Sequence, residues 1–168
     1  MSNPFLPALA ALVLAALANL GCDLSRSCGQ AGCFDQASIR VSRADGATPA
    51  LAVELEVDGR RVICPAPPLR TARGAACDDA LVRVEHRELA DCTETRTAEA
   101  RSLSCVPNGR FEQVIGFAGT PGRIVATLKS DSGVVAQRTF DLTYMNVHPN
   151  GEGCEPVCRQ GARSWPLP

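Results

Sequence analysis

Apolar and polar residues alternate through much of the chain, and the clearest stretch is 51–64. In its first half every second residue is apolar, and most of the residues between are acidic. A period of two is typical of a strand with one buried face. Asp58-Gly59 follows, a pair favoured in two-residue hairpin turns because both residues reach positive φ readily. We therefore predict a hairpin with Cys64 on its buried face and Glu56 opposite Arg61 on its outer face.

The same alternation, with turn-forming residues between the stretches, predicts further strands. They cover residues 38–42, 81–89, 111–117, 124–129 and 134–144. The polar segment 91–104 fits either a short helix over 97–104 or a further edge strand. About seven short strands with little helix favour an all-β fold, and we predict an antiparallel β-sandwich stapled by disulfides.

The spacing of these strands resembles that of the immunoglobulin-like modules common on bacterial surfaces. The resemblance implies two packed sheets whose loops and edges carry the partner site. The chain departs from true immunoglobulin domains in one respect. Their Cys–Trp–Cys spacing is absent, because the single tryptophan, Trp165, lies near the C-terminus.

The first residues form a separate apolar segment that runs without interruption from Phe5 to Ala18. About 14 apolar residues are too few for a helix that crosses a bilayer core, which needs roughly 20. The segment is typical of a secretory signal, and we assign the signal peptide to residues 1–21. Cleavage after Ala18, which ends a small-x-small triplet, is the alternative and would give a secreted protein.

Asn19-Leu20-Gly21-Cys22 resembles the lipobox of bacterial lipoproteins, although Asn19 stands where leucine is usual. The resemblance implies that Cys22 carries a lipid and becomes the new N-terminus. Cysteine parity agrees, because the chain has nine cysteines and exported proteins seldom leave one unpaired. The eight that remain are Cys28, Cys33, Cys64, Cys77, Cys92, Cys105, Cys154 and Cys158.

We predict that these eight cysteines form four disulfides. The predicted pairs are Cys64–Cys77, Cys92–Cys105, and Cys28 and Cys33 with Cys154 and Cys158 in either order. The thiols of Cys28, Cys33, Cys154 and Cys158 could instead bind zinc, but their spacing along the chain is looser than that of most zinc sites. An exported chain favours the disulfides. We expect no metal and no cofactor.

Composition adds limits on the partners. The chain has 17 basic and 18 acidic residues and a formal net charge of −1, so no broad positive field attracts nucleic acid. Nucleic-acid binding is not expected.

The predicted organisation is a signal peptide (1–21), a lipidated tether (22–36), the sandwich (37–145) and an irregular, stapled tail (146–168). Phe34 is expected to be the first buried side chain.

Few residues of the sequence are candidates for a catalytic or metal-binding role. The two histidines, His86 and His148, lie in no hydrolase, metalloprotease or phosphate-binding motif, and we expect no enzymatic activity. An envelope hydrolase that uses His86 or His148 remains an alternative. Asp78-Asp79 and Asp131 could bind calcium, but their places at a strand entry and in a turn favour structural roles.

The loop closed by the predicted Cys64–Cys77 bridge carries two arginines, Arg70 and Arg73. Protease inhibitors commonly bind trypsin-like enzymes through a constrained loop with arginine near its apex, so a secreted inhibitor is a second alternative.

The preferred hypothesis is a lipid-anchored protein of the cell envelope with a non-enzymatic binding or structural role. Its expected partners are the membrane and an envelope protein or polysaccharide.

Overall fold

The computed structural model describes residues 28–68, 74–96 and 101–168. Over these ranges the chain forms ten strands and no helix. In chain order the strands are β1 (Gln36–Arg43), β2 (Ala52–Val57), β3 (Arg60–Cys64), β4 (Ala75–Ala76), β5 (Val82–Arg96), β6 (Arg101–Ala118), β7 (Arg123–Ser130), β8 (Gly133–Asp141), β9 (Met145–Val147) and β10 (Cys158–Leu167). The predicted all-β sandwich is confirmed, with β4, β9 and β10 in addition to the strands expected. In the described part of the chain, no helix has the length and apolar character to cross a membrane.

The strands form two sheets. One has six strands in the order β4-β5-β6-β1-β10-β9, and the other has four in the order β3-β2-β7-β8. Neighbouring strands are antiparallel except β1 and β10, which run parallel. The parallel pair arises because β10 returns to the sheet after the whole domain has been traversed, and parallel neighbours require such a crossover.

Alternate residues of both sheets point inward and form one core. Its most enclosed side chains are Ile39, Val41, Val84 and Ile115 from the six-stranded sheet and Val53, Leu55, Val62, Ile124 and Leu128 from the other. Each side chain of this kind stabilises the fold by about 1.5–3 kcal/mol on burial. The period of two in the sequence therefore reports the inner face of each strand.

One polar side chain, Gln113 on β6, lies wholly inside this core. Its Oε1 accepts the N–H of Leu51 and its Nε2 donates to the carbonyl of Leu51, both at 2.8 Å. Burying an amide costs free energy unless its polar groups are paired, and these two hydrogen bonds offset that cost. They also connect the six-stranded sheet to the segment that leads into β2.

The β2–β3 hairpin has the predicted register, with Glu56 opposite Arg61 and Cys64 buried. Both turn residues have positive φ, 47° at Asp58 and 82° at Gly59. Arg61 forms its ion pair diagonally with Glu54, at 3.5 Å, rather than with Glu56 directly opposite. The predicted strand pairing is confirmed, and the acidic partner of Arg61 lies two residues before the glutamate directly opposite it.

The tail is stapled by two disulfides, as predicted, and is irregular over 148–157, but the prediction of an irregular tail is wrong over Cys158–Leu167, which forms β10, an inner strand of the six-stranded sheet. Trp165 and Leu167 are buried in the core. The inward positions before them are Gly161 and Arg163, which hide the apolar alternation in the sequence. Gly161 has a packing reason: a Cβ there would lie 2.9 Å from a ring carbon of Tyr144.

Beyond Glu88, β5 and β6 leave the sandwich as a two-stranded ribbon whose residues are almost all exposed. The departure coincides with a register shift between Glu88 and Ala90. The helix considered for 97–104 is excluded for residues 101–104, which belong to β6; residues 97–100 lie outside the described ranges.

Four disulfides brace the fold. They are Cys28–Cys154, Cys33–Cys158, Cys64–Cys77 and Cys92–Cys105. The last two are the local pairs predicted, and the first two settle the order that the sequence left open. The zinc alternative is therefore wrong, since all four thiols concerned are bridged.

The segment ahead of β1 is further bound to the tail by side-chain hydrogen bonds. Asn150 accepts the N–H of Ala31 at 2.8 Å and donates to the carbonyl of the same residue at 3.0 Å. Asp35 binds the guanidinium of Arg159, with Nη2 at 2.9 Å. The segment ahead of β1 and the segment 150–159 thus form one cross-linked region beside the starts of β1 and β10.

Candidate functional site

The outer face of the six-stranded sheet carries a groove, which we define by three rows of side chains in strand register. The floor row consists of Arg83, Gly116, Ser38 and Ala162. Neighbouring strands lie about 4.8 Å apart, so this row extends for about 14 Å across four strands. Three of its four members are small, and the floor is therefore lower than the rows beside it. The groove has a volume of about 610 Å³.

Two rows that consist mostly of larger side chains form the walls of the groove. The first wall consists of Ala118, Gln36, Gln160 and Met145, and the second consists of Glu85, Val114 and Arg40. Three exposed apolar side chains stand at the edge of the groove: Phe34 (83% exposed), Met145 (73%) and Leu81 (54%). The prediction that Phe34 is buried is wrong, because the residue precedes β1 and lies on the outer side of the sheet.

The floor is open at Gly116. A Cβ built there would have as its nearest neighbour the carbonyl oxygen of Arg83, at 3.8 Å, which is an ordinary contact. Gly116 also lacks the positive φ that would require glycine. A side chain at this position would therefore project into the groove without distorting β6.

Most charged side chains around the groove are already paired. Arg83 Nε lies 2.9 Å from Glu85 Oε1, and Arg87 Nε donates to Glu112 Oε1 at 2.6 Å. The N–H and the guanidinium of Arg159 hold the pKa of Asp35 below its ordinary value of 3.8, so Asp35 stays ionised and paired at neutral pH. These pairs largely cancel their own charges.

Four polar side chains in the groove remain available. Among the described residues, none provides a hydrogen-bond or ion-pair partner to the side chains of Gln36, Ser38, Arg40 or Gln160. Arg40 is consequently the uncompensated charge of the groove. The other three offer neutral donors and acceptors. The arrangement can bind a ligand that carries hydroxyl groups and an anionic group.

The structure places the two histidines apart from this groove and in different surroundings. His86 is buried, stacks on the ring of Phe111 and has Nε2 2.8 Å from the carbonyl oxygen of Thr48. The neighbouring acids point elsewhere: Glu85 pairs with Arg83, and Glu88 accepts the N–H of Gly109. A buried histidine bonded in this way supports the core.

His148 is exposed and lies just after β9. Over the ranges that the structure describes, no three His, Cys, Asp or Glu side chains converge on a site that could hold a metal. Two of the three acids considered for calcium, Asp78 and Asp79, are occupied in the fold: Asp78 accepts the N–H of Ile63, and Asp79 accepts the N–H of Leu81. Both therefore fix the segment that leads from β4 to β5.

Three residues with predicted roles lie outside the described part of the chain: Cys22, Arg70 and Arg73. The lipid attachment and the inhibitor loop therefore remain predictions. The Cys64–Cys77 bridge that would constrain the loop is present.

The groove could not be predicted from the sequence. Gln36, Ser38 and Arg40 stand at alternate positions of β1 and read as ordinary solvent-facing residues. Gly116 and Ala162 join them only through the register of β6 and β10 with β1. The polar alternation is a usable signal, but the partner strands cannot be aligned without the fold.

No protein-family model matches the chain, no curated protein matches its sequence, and no solved structure matches its fold. The chemistry of the groove is therefore the basis for a functional proposal.

Proposed function

We propose that the protein is a non-enzymatic binding module of the cell envelope, anchored by a lipid on Cys22. The module holds an elongated ligand in the groove of its six-stranded sheet. The observation that carries the proposal is the groove itself: a floor of small residues with four unengaged polar side chains around it. Binding sites are concave and use a few well-placed polar groups, as this groove does. A sandwich scaffold alone implies no activity.

The disulfides support the compartment. Four bridges in a chain of 168 residues are typical of proteins that fold in an oxidising environment outside the cytoplasm. They use every cysteine after residue 22, so Cys22 is the one cysteine left over. This parity supports lipidation of Cys22, because a lone thiol is unusual in an exported protein.

The anchor is tested by the mass and location of the protein. Purified from its native membrane, the intact protein should have lost residues 1–21 and gained a diacylglyceryl group, and reduction should add the mass of eight hydrogens. A Cys22→Ser variant should move to the soluble fraction, because the lipid supplies the membrane affinity. A native protein without added lipid mass, or a variant that stays in the membrane, would contradict the anchor.

The groove is tested by filling it. Gly116→Leu should leave the thermal unfolding midpoint nearly unchanged and weaken ligand binding at least tenfold, because the new side chain occupies the floor. Ser104→Leu is the matched control, since Ser104 is exposed on the ribbon. Both variants and the wild type are compared on arrays of envelope polysaccharides and of extended peptides. Absence of any ligand for the wild type, or equal binding by Gly116→Leu, would refute the proposed function.

A further inference from the structure

We propose that the ligand of the groove is an acidic polysaccharide, whose carboxylate is held by Arg40 and whose hydroxyl groups are held by Gln36, Ser38 and Gln160. This inference rests on the proposed function, because it names the class of ligand for the same groove. Three features of the groove favour it: the placement of charge, the pairing of the backbone and the exposed aromatic ring.

The charge is localised on one wall. Arg40 is the one arginine lining the groove, among the described residues, that has no carboxylate partner. A guanidinium binds a carboxylate through two parallel hydrogen bonds, and its planar geometry suits that group. A single unpaired arginine matches one carboxylate at one position of the ligand. Nucleic acid would require neutralisation of a run of phosphates, but among the described residues the other arginines that line the groove, Arg83 and Arg87, are already paired.

The neutral groups are on the opposite wall and the floor. Gln36 and Gln160 are neighbours in the register of β1 and β10, and Ser38 lies between Gln36 and Arg40 on β1. Amide and hydroxyl groups both donate and accept, as sugar hydroxyls do. From Gln36 to Arg40 is about 13 Å along the strand. A ring lying in the groove thus meets hydroxyl-binding groups on one side and a guanidinium on the other, which suits a uronic acid.

The backbone disfavours an extended peptide as the ligand. Peptides commonly bind to a sheet by adding a strand to an open edge, where backbone N–H and C=O groups are unpaired. The floor of the groove lies on β5, β6, β1 and β10, which are inner strands with neighbours on both sides. Side chains alone are available there. A polysaccharide needs only side-chain contacts of this kind.

The ring of Phe34 completes the groove. It is 83% exposed at the edge of the groove, two residues ahead of Gln36. An aromatic ring left in water at a binding site offers an apolar face for the C–H face of a sugar ring. Met145, on the same wall as Gln160, extends this apolar edge.

The test measures binding of a uronic-acid tetramer, its methyl ester and a neutral hexose tetramer to the full-length protein by titration calorimetry. The wild type should prefer the acid over its ester by at least tenfold, since an ion-assisted bond is lost in the ester. Arg40→Gln should weaken binding of the acid by about the same factor and leave binding of the ester unchanged. Arg110→Gln is the control, because Arg110 is exposed on β6 beside the ribbon.

Equal affinity for acid and ester, or an Arg40→Gln variant that binds the acid as the wild type does, would overturn the inference. An acidic peptide that binds where the uronate does not, and that Gly116→Leu excludes, would also overturn it while leaving the proposed function intact. Ligand binding that Gly116→Leu does not change would instead remove the proposed function, and the two failures are therefore distinguishable.

Discussion

Replacing Cys28, Cys33, Cys154 and Cys158 together with alanine should lower the free energy of unfolding by about 7 kcal/mol, more than the sum of the losses from removing each bridge alone. The bridges span 126 and 125 residues and lie side by side. While one is intact, the other closes a ring of only about ten residues, and its removal should cost about 2–3 kcal/mol. Removal of the second bridge then releases the long loop, at about 5 kcal/mol.

Denaturant unfolding of the two double variants and the quadruple variant, followed by circular dichroism, gives the three losses directly. The double variant Cys92→Ala, Cys105→Ala is the control. The bridge that it removes closes a loop of 13 residues in the exposed ribbon, so the free energy of unfolding should fall by at most about 3 kcal/mol. Additive losses from the two long-range bridges would show that they do not constrain the same loop.

The second large effect is expected at Trp165. Trp165→Ala should lower the free energy of unfolding by about 3–5 kcal/mol, as is usual for the loss of a buried large aromatic side chain. Trp165 is 4% exposed and meets Phe140 edge to face, with ring centroids 5.5 Å apart, so it connects β10 to the opposite sheet. Thermal unfolding followed by circular dichroism measures the change.

Two further variants serve as controls for Trp165→Ala. Trp165→Phe keeps most of the apolar contact and should lose much less than the alanine variant. Met145→Ala, on the neighbouring strand β9 and 73% exposed, should stay within about 0.5 kcal/mol of the wild type. A Trp165→Ala variant as stable as Met145→Ala would mean that the C-terminal strand contributes little to the core.

The elements that could be predicted from sequence are those whose local signals agree. In the β2–β3 hairpin the period of two, the Asp58-Gly59 turn and the position of Cys64 all indicate one register, and that register is observed. The strands from 81 and from 111 were recognisable where they cover the core. A strand over 91–104 was one of two alternatives there, and the sequence did not decide between them because exposed residues on both faces leave no apolar period.

The C-terminal strand and the groove escaped prediction for a common reason: both depend on contacts between distant segments. Gly161 is small because Tyr144 packs over it, a contact that the local sequence does not reveal. Phe34 looked like a core residue by type alone, yet it lies outside the sandwich. Ser38 and Gly116 become neighbours only through the pairing of β1 with β6.

The two long-range bridges also determine how the domain would carry a mechanical load. Tension on the chain ahead of Cys28 would reach β1 through the backbone and β10 through the sulfur–sulfur links. These strands are parallel neighbours inside the six-stranded sheet, so both would be pulled from the same end and in the same direction. Neither strand would be peeled from the other. A domain tethered at that end would resist shear along β1 and β10, the two strands that carry the four unengaged polar side chains of the groove.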